Sequence, residues 1–101
     1  MTPRPIVWRA RARDQLLALY DWIADRADPD TAFAYVSAIE AHAAGLAHFP
    51  DRGTPRADIA AGIRTTPYRR RTVIAYRVTD DRVEIVALAH GGQMLDNLFD
   101  E

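Results

Sequence analysis

Cysteine and lysine are both absent from the 101 residues of this chain. Without cysteine the chain has no disulfide and no thiolate zinc site, which is compatible with a reducing compartment. No run approaches the roughly 18 to 20 apolar residues of a membrane-spanning helix, and the start, Met1-Thr-Pro-Arg-Pro5, lacks the pattern of a secretion signal. We therefore expect a cytoplasmic protein that does not associate with membranes.

Motifs that carry a cofactor or a metal are also missing. The chain has no glycine-rich phosphate loop, no nucleophile elbow and no pair of carboxylates at catalytic spacing. His42 and His48 do not form a His-x-x-x-His pair, and both are expected on a helix surface or at a helix end. His90 closes an apolar run before Gly91-Gly92, so it is either a polar residue that ends a strand or a proton-transfer group. We expect neither a cofactor nor a metal.

The length of the chain predicts one small domain, and its net charge predicts that any binding through positive charge is confined to one part of the surface. The 101 residues, of which 49% are apolar, predict a single domain over residues 1–101 with one modest core. The net charge of -1 argues against a protein that coats nucleic acid along its whole surface.

The first half of the chain predicts a short strand followed by a helical hairpin. Residues 6–8 are an apolar run after two prolines, which is typical of a strand near a sheet edge. A helix is predicted over residues 12–27, where apolar side chains recur at spacings of four, three and four: Leu16, Tyr20, Ile23 and Ala27. Asp28-Pro29-Asp30 ends this helix, and Asp30 or Thr31 is predicted to cap a second helix that extends to residue 48.

The second half predicts three strands, over residues 62–67, 70–79 and 82–89. Asp80-Asp81 supplies the turn between the last two strands, and the last strand is apolar on both faces, as in the middle of a sheet. One or two further helical turns are predicted over residues 94–99. The predicted fold is α+β, with a small antiparallel sheet packed against an N-terminal helical hairpin in the order β-α-α-β-β-β.

Every cationic residue is arginine, and seven of the 13 lie between Arg52 and Arg77 against one acid, Asp58. This arginine-rich segment carries a charge of +6 in a chain whose total is -1. Guanidinium groups suit phosphates, carboxylates and aromatic faces. The segment is either a solvated strand face or a binding site, and the second reading requires several side chains to converge on one surface. Neighbouring strands would allow this for Arg64, Arg71 and Arg77.

Several short motifs, in this order and spacing, resemble the ParE branch of the RelE/ParE toxin superfamily. The most specific are Pro50-x-x-Gly53, Gly62-x-Arg64 and the final strand that runs into His90-Gly91. The resemblance covers nearly the whole chain. It implies the β-α-α-β-β-β fold and the toxin of a type II toxin-antitoxin pair, a class associated with growth arrest and plasmid stabilization.

The two branches of the superfamily imply different activities. ParE-like members are associated with inhibition of DNA gyrase, whereas RelE-like members are ribosome-dependent endonucleases that cut messenger RNA. Metal-independent RNA cleavage needs a base, an acid and cations around the phosphorane. When Tyr76-Arg77-Val78 is aligned with the middle strand of RelE-like enzymes, Val73 and Gly92-Gln93 stand where basic residues are expected. The resemblance therefore favours a gyrase-binding toxin over an enzyme.

Two alternatives stay open beside gyrase inhibition. The first is a RelE-like ribonuclease that uses four residues: Arg64, Arg71, Arg77 and His90. The second is a protein without an effect on growth, either a relic that keeps the toxin fold or a stand-alone nucleic-acid module.

The partner that the resemblance implies is a ParD-like antitoxin in a hetero-oligomer, with DNA gyrase as the target. We expect an antitoxin tail with acidic and apolar residues that crosses the helical hairpin and the sheet. No direct sequence-specific contact with nucleic acid is expected. The candidate partner-binding residues are Arg64, Arg69, Arg70, Arg71, Arg77 and His90.

Overall fold

Two helices pack against a five-stranded sheet in the computed structural model, which describes residues 3–91. The elements are β1 Ile6–Trp8, α1 Ala10–Arg26, α2 Pro29–Ala44, β2 Thr54–Pro55, β3 Ile63–Tyr68, β4 Thr72–Val78 and β5 Val83–His90. The predicted α+β class and the order of elements are confirmed, and β2 is an additional short strand. The helical turns predicted over residues 94–99 lie outside the described residues.

The cap of the second helix lies two or three residues earlier than predicted. α2 begins at Pro29, and its capping residue is Asp28, whose side chain accepts a hydrogen bond from the backbone N–H of Thr31 at 2.7 Å. The prediction that Asp30 or Thr31 caps the helix was wrong, because proline suits the first helical position, where its missing N–H has no partner to lose. The hydrogen bonds from Thr31 also lower the pKa of the Asp28 carboxyl.

The end of α2 is also earlier than predicted. The α-helix stops at Ala44, and the chain tightens into a 3-10 turn over Gly45–Ala47 before a second such turn over Pro50–Arg52. Tightened last turns of this kind are common at helix ends. Both turns lie between α2 and β2. No helix among residues 3–91 has the length and apolar character to cross a bilayer.

The sheet has the strand order β1-β5-β4-β3-β2 and is mixed rather than wholly antiparallel. The β2–β3, β3–β4 and β4–β5 pairs are antiparallel, whereas β1 runs parallel to β5, with Ile6 opposite Val83. A parallel partner so distant in sequence leaves no turn signal near either strand. The prediction of an antiparallel sheet was therefore wrong for β1, although the strand itself was predicted.

The helix-facing side of the sheet holds the larger apolar core. Alternation along β4 puts Ile74 and Tyr76 on this side, where they pack against α1 and α2. On β5 the register shifts between the pairs Tyr76–Ile85 and Ala75–Ala87, so that Val86 is an extra residue. This bulge turns both Ile85 and Leu88 toward the helices, so apolar residues occur at both odd and even positions of β5.

Candidate functional site

Four of the six predicted binding residues meet at one end of the sheet. Arg69, Arg70 and Arg71 form the turn between β3 and β4, and all three are exposed. His90 ends β5 beside this turn, because it lies opposite Thr72 in the sheet. The backbone N–H of Gly91 donates to the carbonyl of Arg71 at 2.8 Å, which holds the end of β5 against the turn. We call this region the turn end of the sheet.

Arg64 and Arg77 lie at the opposite end of the same strands and on opposite faces. Arg64 pairs with Tyr76, whereas Arg77 pairs with Ile63. Successive residues of a strand point to opposite sides, so the two guanidinium groups cannot serve one surface of the sheet. The structure therefore does not bring Arg64, Arg71 and Arg77 together, since β3 is six residues long and separates Arg64 from the turn.

The Arg64 side chain is held by the loop that follows α2. Its Nη1 donates to the carbonyl oxygens of Gly53 at 2.8 Å and of Asp51 at 3.2 Å. Its Nη2 lies 3.8 Å from a carboxylate oxygen of Asp51. Two carbonyl acceptors and a nearby carboxylate engage much of the donor capacity of one guanidinium group. Arg64 is thus a residue that fastens a loop to the sheet.

Tyr76 holds the same loop from the core side. The phenol of this fully buried residue accepts a hydrogen bond from the backbone N–H of Gly53 and donates one to the carbonyl of Pro50, each at 2.8 Å. Burial raises the pKa of the Tyr76 phenol, so the hydroxyl keeps the proton that it donates. Pro50, Gly53, Arg64 and Tyr76 form a unit that we call the loop clamp.

A chain of hydrogen bonds joins α2 to His90 at the turn end of the sheet. The Thr72 hydroxyl lies 2.8 Å from the Tyr35 hydroxyl and 2.9 Å from Nδ1 of His90. The His90 ring contacts the rings of Trp22 and Tyr35 edge to face, with centroids 5.5 Å and 5.8 Å away. Sequence reasoning missed this cluster. The available signal was Thr72, a polar residue placed by alternation on the helix-facing side of β4.

The environment of His90 disfavours its charged form. Burial lowers the pKa of the imidazole, and the nearby positive charge of Arg71 lowers it further. Neutral imidazole has one donor and one acceptor nitrogen, so Nδ1 takes whichever role complements the Thr72 hydroxyl.

The lowered pKa of His90 predicts that acid destabilises the fold. Since the unfolded histidine titrates near about 6.5 and the folded one lower, the unfolded state binds more protons between these values. The contribution to the free energy of unfolding is complete above about pH 6.5 and is lost as the pH falls toward the folded pKa. Urea unfolding of the wild type and of His90→Gln from pH 7.5 to 5 measures it. If the free energy of unfolding fell with pH equally in both proteins, the assignment to His90 would be contradicted.

A half-open cavity of about 460 Å³ lies between α1 and the end of β5. Its walls are mainly apolar, and Arg71 is the one arginine among the described residues that line it: Gln15, Ala18, Leu19, Trp22, Arg71, Leu88, His90 and Gly91. Trp22 is 43% exposed, and the Arg26 guanidinium lies 4.2 Å from the centre of its ring. Trp22 therefore borders this cavity with part of its ring open to solvent.

Residues 3–91 contain no group of three or more histidine, aspartate or glutamate side chains placed to hold a metal ion. The other two histidines of the chain, His42 and His48, lie in and after α2 rather than at the end of β5. The His42 ring contacts Tyr68 at 5.3 Å and is half-buried, whereas His48 lies just after the 3-10 turn that follows α2. His90 is therefore the histidine that stands with the arginine, aromatic and hydroxyl groups at the turn end of the sheet.

Residues 6–95 match the profile of the family described as the ParE toxin of type II toxin-antitoxin system, parDE. The chain belongs to this ParE toxin family. A solved structure titled as the chromosomal ParDE TA system from P. aeruginosa superposes with a TM-score of 0.77 at 22% sequence identity. The superposition covers 87% of this chain and 96% of that chain, so the fold is shared. No curated protein sequence matches this chain.

The motifs that carried the family resemblance maintain the fold of this ParE-family toxin, because they fasten a loop or supply a backbone conformation that glycine favours. Pro50, Gly53 and Arg64 belong to the loop clamp, and Gly62 has a φ of +77°, a conformation that glycine adopts without strain. Gly91 ends β5 with a φ of +73°. These motifs therefore report how the chain folds more directly than which molecule it binds.

Proposed function

We propose that this ParE-family toxin inhibits DNA gyrase in the cytoplasm, which stalls replication and arrests growth. We further propose that a ParD-like antitoxin neutralises it in a hetero-oligomeric complex. The observation that carries the proposal is the family match over residues 6–95. The fold shared with a solved ParDE system supports it.

The distribution of the arginines supports binding to proteins rather than RNA cleavage. A nuclease needs its cations around one phosphorane. Arg64 is engaged in the loop clamp, and Arg77 lies on the opposite face of the sheet. The exposed turn Arg69 to Arg71, together with His90, offers a compact basic surface that suits an acidic partner. We assign partner binding to this surface.

Gyrase inhibition is tested with the purified toxin in a supercoiling assay. We expect supercoiling to fall as toxin is added and to recover when the antitoxin is mixed with the toxin beforehand. The same toxin, induced in a bacterium, is expected to trigger the DNA damage response before translation slows. If supercoiling stayed normal while ribosome-bound messages were cut, the gyrase proposal would have to be abandoned.

A RelE-like ribonuclease is the second candidate, and it is favoured by the placement of Arg71 and His90, which line the same half-open cavity. There the neutral imidazole would move a proton and Arg71 would stabilise the phosphorane. A variant with Arg71→Gln and His90→Gln tests this activity without disturbing Arg64 and its loop. If the double variant stayed fully toxic although it cut no messages, RNA cleavage could not be the cause of the toxicity, and the ribonuclease would be excluded as the function.

A further inference from the structure

β5 is covered by β1 along only part of its outer edge. β1 pairs with residues 83–85, and among residues 3–91 no strand pairs with the same edge further along. The backbone N–H of Leu88 points to this edge, where the side-chain oxygen of Gln15 in α1 accepts its hydrogen bond at 2.7 Å. The Gln15 side chain thus takes the place of a strand carbonyl, which would accept from the Leu88 N–H if another strand were added here.

The apolar cavity lies directly beside this edge of β5. Leu88 lines it from the strand, while Ala18 and Trp22 line it from α1. Both α1 residues are exposed, so a partner side chain can reach them. Arg71 stands at the same cavity with no carboxylate paired to it within residues 3–91. A strand edge, an apolar cavity and a cation therefore meet in one place.

We propose that this edge of β5 and the cavity form one docking groove for an extended segment of the antitoxin with apolar and acidic residues. The backbone of the segment pairs with β5 and replaces Gln15 at the N–H of Leu88. One apolar side chain enters the cavity, and a neighbouring carboxylate pairs with Arg71. Strand addition supplies affinity through the backbone, while a pocket and a charge supply specificity. The inference rests on the proposed function, since the antitoxin is the partner.

The chemistry of the groove favours a peptide over a nucleic acid. A nucleic-acid strand presents a row of phosphates and needs several cations along its path. The cavity offers one arginine among mostly apolar walls. A peptide, in contrast, satisfies the strand edge and the cavity together, because its side chains alternate along its backbone.

Hydrogen exchange at the amide of Leu88 tests the strand pairing. In Gln15→Ala this N–H loses its acceptor, so its exchange in the free toxin is expected to become at least about tenfold faster than in the wild type. The full-length ParD-like antitoxin of the proposed function is then added as the probe. We expect exchange at Leu88 to slow by at least about 100-fold in the complex of this variant. Fast exchange at Leu88 in a fully formed complex would overturn the proposal.

Affinity measurements test the cavity and the charge. Ala18→Leu fills the cavity from an exposed helix position and is expected to weaken antitoxin binding at least about tenfold, whereas Ala34→Leu on the exposed face of α2 leaves it unchanged. Arg71→Gln is expected to weaken binding about tenfold and to reduce its salt dependence, whereas Arg13→Gln on α1 does neither. Thermal unfolding of each variant establishes that it is folded.

The results distinguish a failure of the docking groove from a failure of the proposed function. If the antitoxin binds and neutralises Ala18→Leu and Arg71→Gln as it does the wild type, the proposed function stands and the docking groove is wrong. If Arg71→Gln lost affinity for a single-stranded RNA while antitoxin binding was unchanged, the groove would be a nucleic-acid site instead. A toxin that neither binds the antitoxin nor inhibits gyrase would overturn both proposals.

Discussion

Replacing Gly53 with alanine is expected to lower the free energy of unfolding by about 3 kcal/mol, because the position has no room for a side chain. An added Cβ would overlap the Tyr76 hydroxyl and would lie 2.8 Å from the carbonyl oxygen of Thr65. The Thr65 carbonyl is part of β3, and the phenol belongs to a fully buried residue. The loop must therefore move away from the sheet, which breaks the hydrogen bond between Gly53 and Tyr76. Urea unfolding followed by circular dichroism measures the loss.

Gly45→Ala is the matched control for this substitution. Gly45 has helical dihedral angles, and the nearest atom that an added Cβ would meet is the end of the Arg52 side chain at 3.3 Å. A flexible guanidinium group can shift at little cost, and alanine suits a helical backbone better than glycine. We expect a change of less than about 1 kcal/mol there. Equal losses for the two variants would show that lack of space at Gly53 is not the cause.

Tyr76→Phe is expected to cost about 2 kcal/mol, because it leaves two backbone groups without a partner. The phenol bridges the N–H of Gly53 and the carbonyl of Pro50 at 2.8 Å each, and Gly53 is buried. Phenylalanine fills the same apolar space but offers neither a donor nor an acceptor. Chemical denaturation with the slope m held constant measures the loss. Stability within about 0.5 kcal/mol of the wild type would mean that water replaces the phenol.

Tyr68→Phe is the control for the tyrosine substitution. The Tyr68 hydroxyl accepts a hydrogen bond from the Arg69 side chain at 3.1 Å on the surface, where water can replace it. Its removal is expected to change stability by less than about 0.5 kcal/mol. A double variant with Gly53→Ala and Tyr76→Phe should lose less than the sum of the two single losses, because the first change already breaks the bond that the second removes. Strict additivity would contradict the loop clamp.

Local patterns predicted most of the elements, and the differences from the structure have local causes. The helical hairpin and the strands β3, β4 and β5 were expected from periodicity, since amphipathic helices and alternating strands leave a direct signal in the sequence. Asp28 was overlooked as the cap of α2 because the neighbouring proline looked like an interruption rather than a first helical residue. The parallel direction of β1 has no local signal at all.

The candidate site was predicted less completely than the fold. The sequence named six candidate residues, and four of them, Arg69, Arg70, Arg71 and His90, lie at the turn end of the sheet. It did not indicate that Arg64 fastens a loop, because both carbonyl acceptors of that side chain lie on a segment more than ten residues away. Nor did it indicate that Gln15 would reach the amide of Leu88.

By itself the sequence determined the α+β class, the absence of thiol chemistry and the family resemblance, because these depend on composition, on short periods and on motif spacing. Only the tertiary structure decided which arginines share a surface. Arg64 and Arg77 lie on opposite faces, and Arg71 lies with His90 at the cavity. The physical reason is that strand register and loop contacts join residues far apart in the chain, and a small shift in either one redirects a side chain to another face.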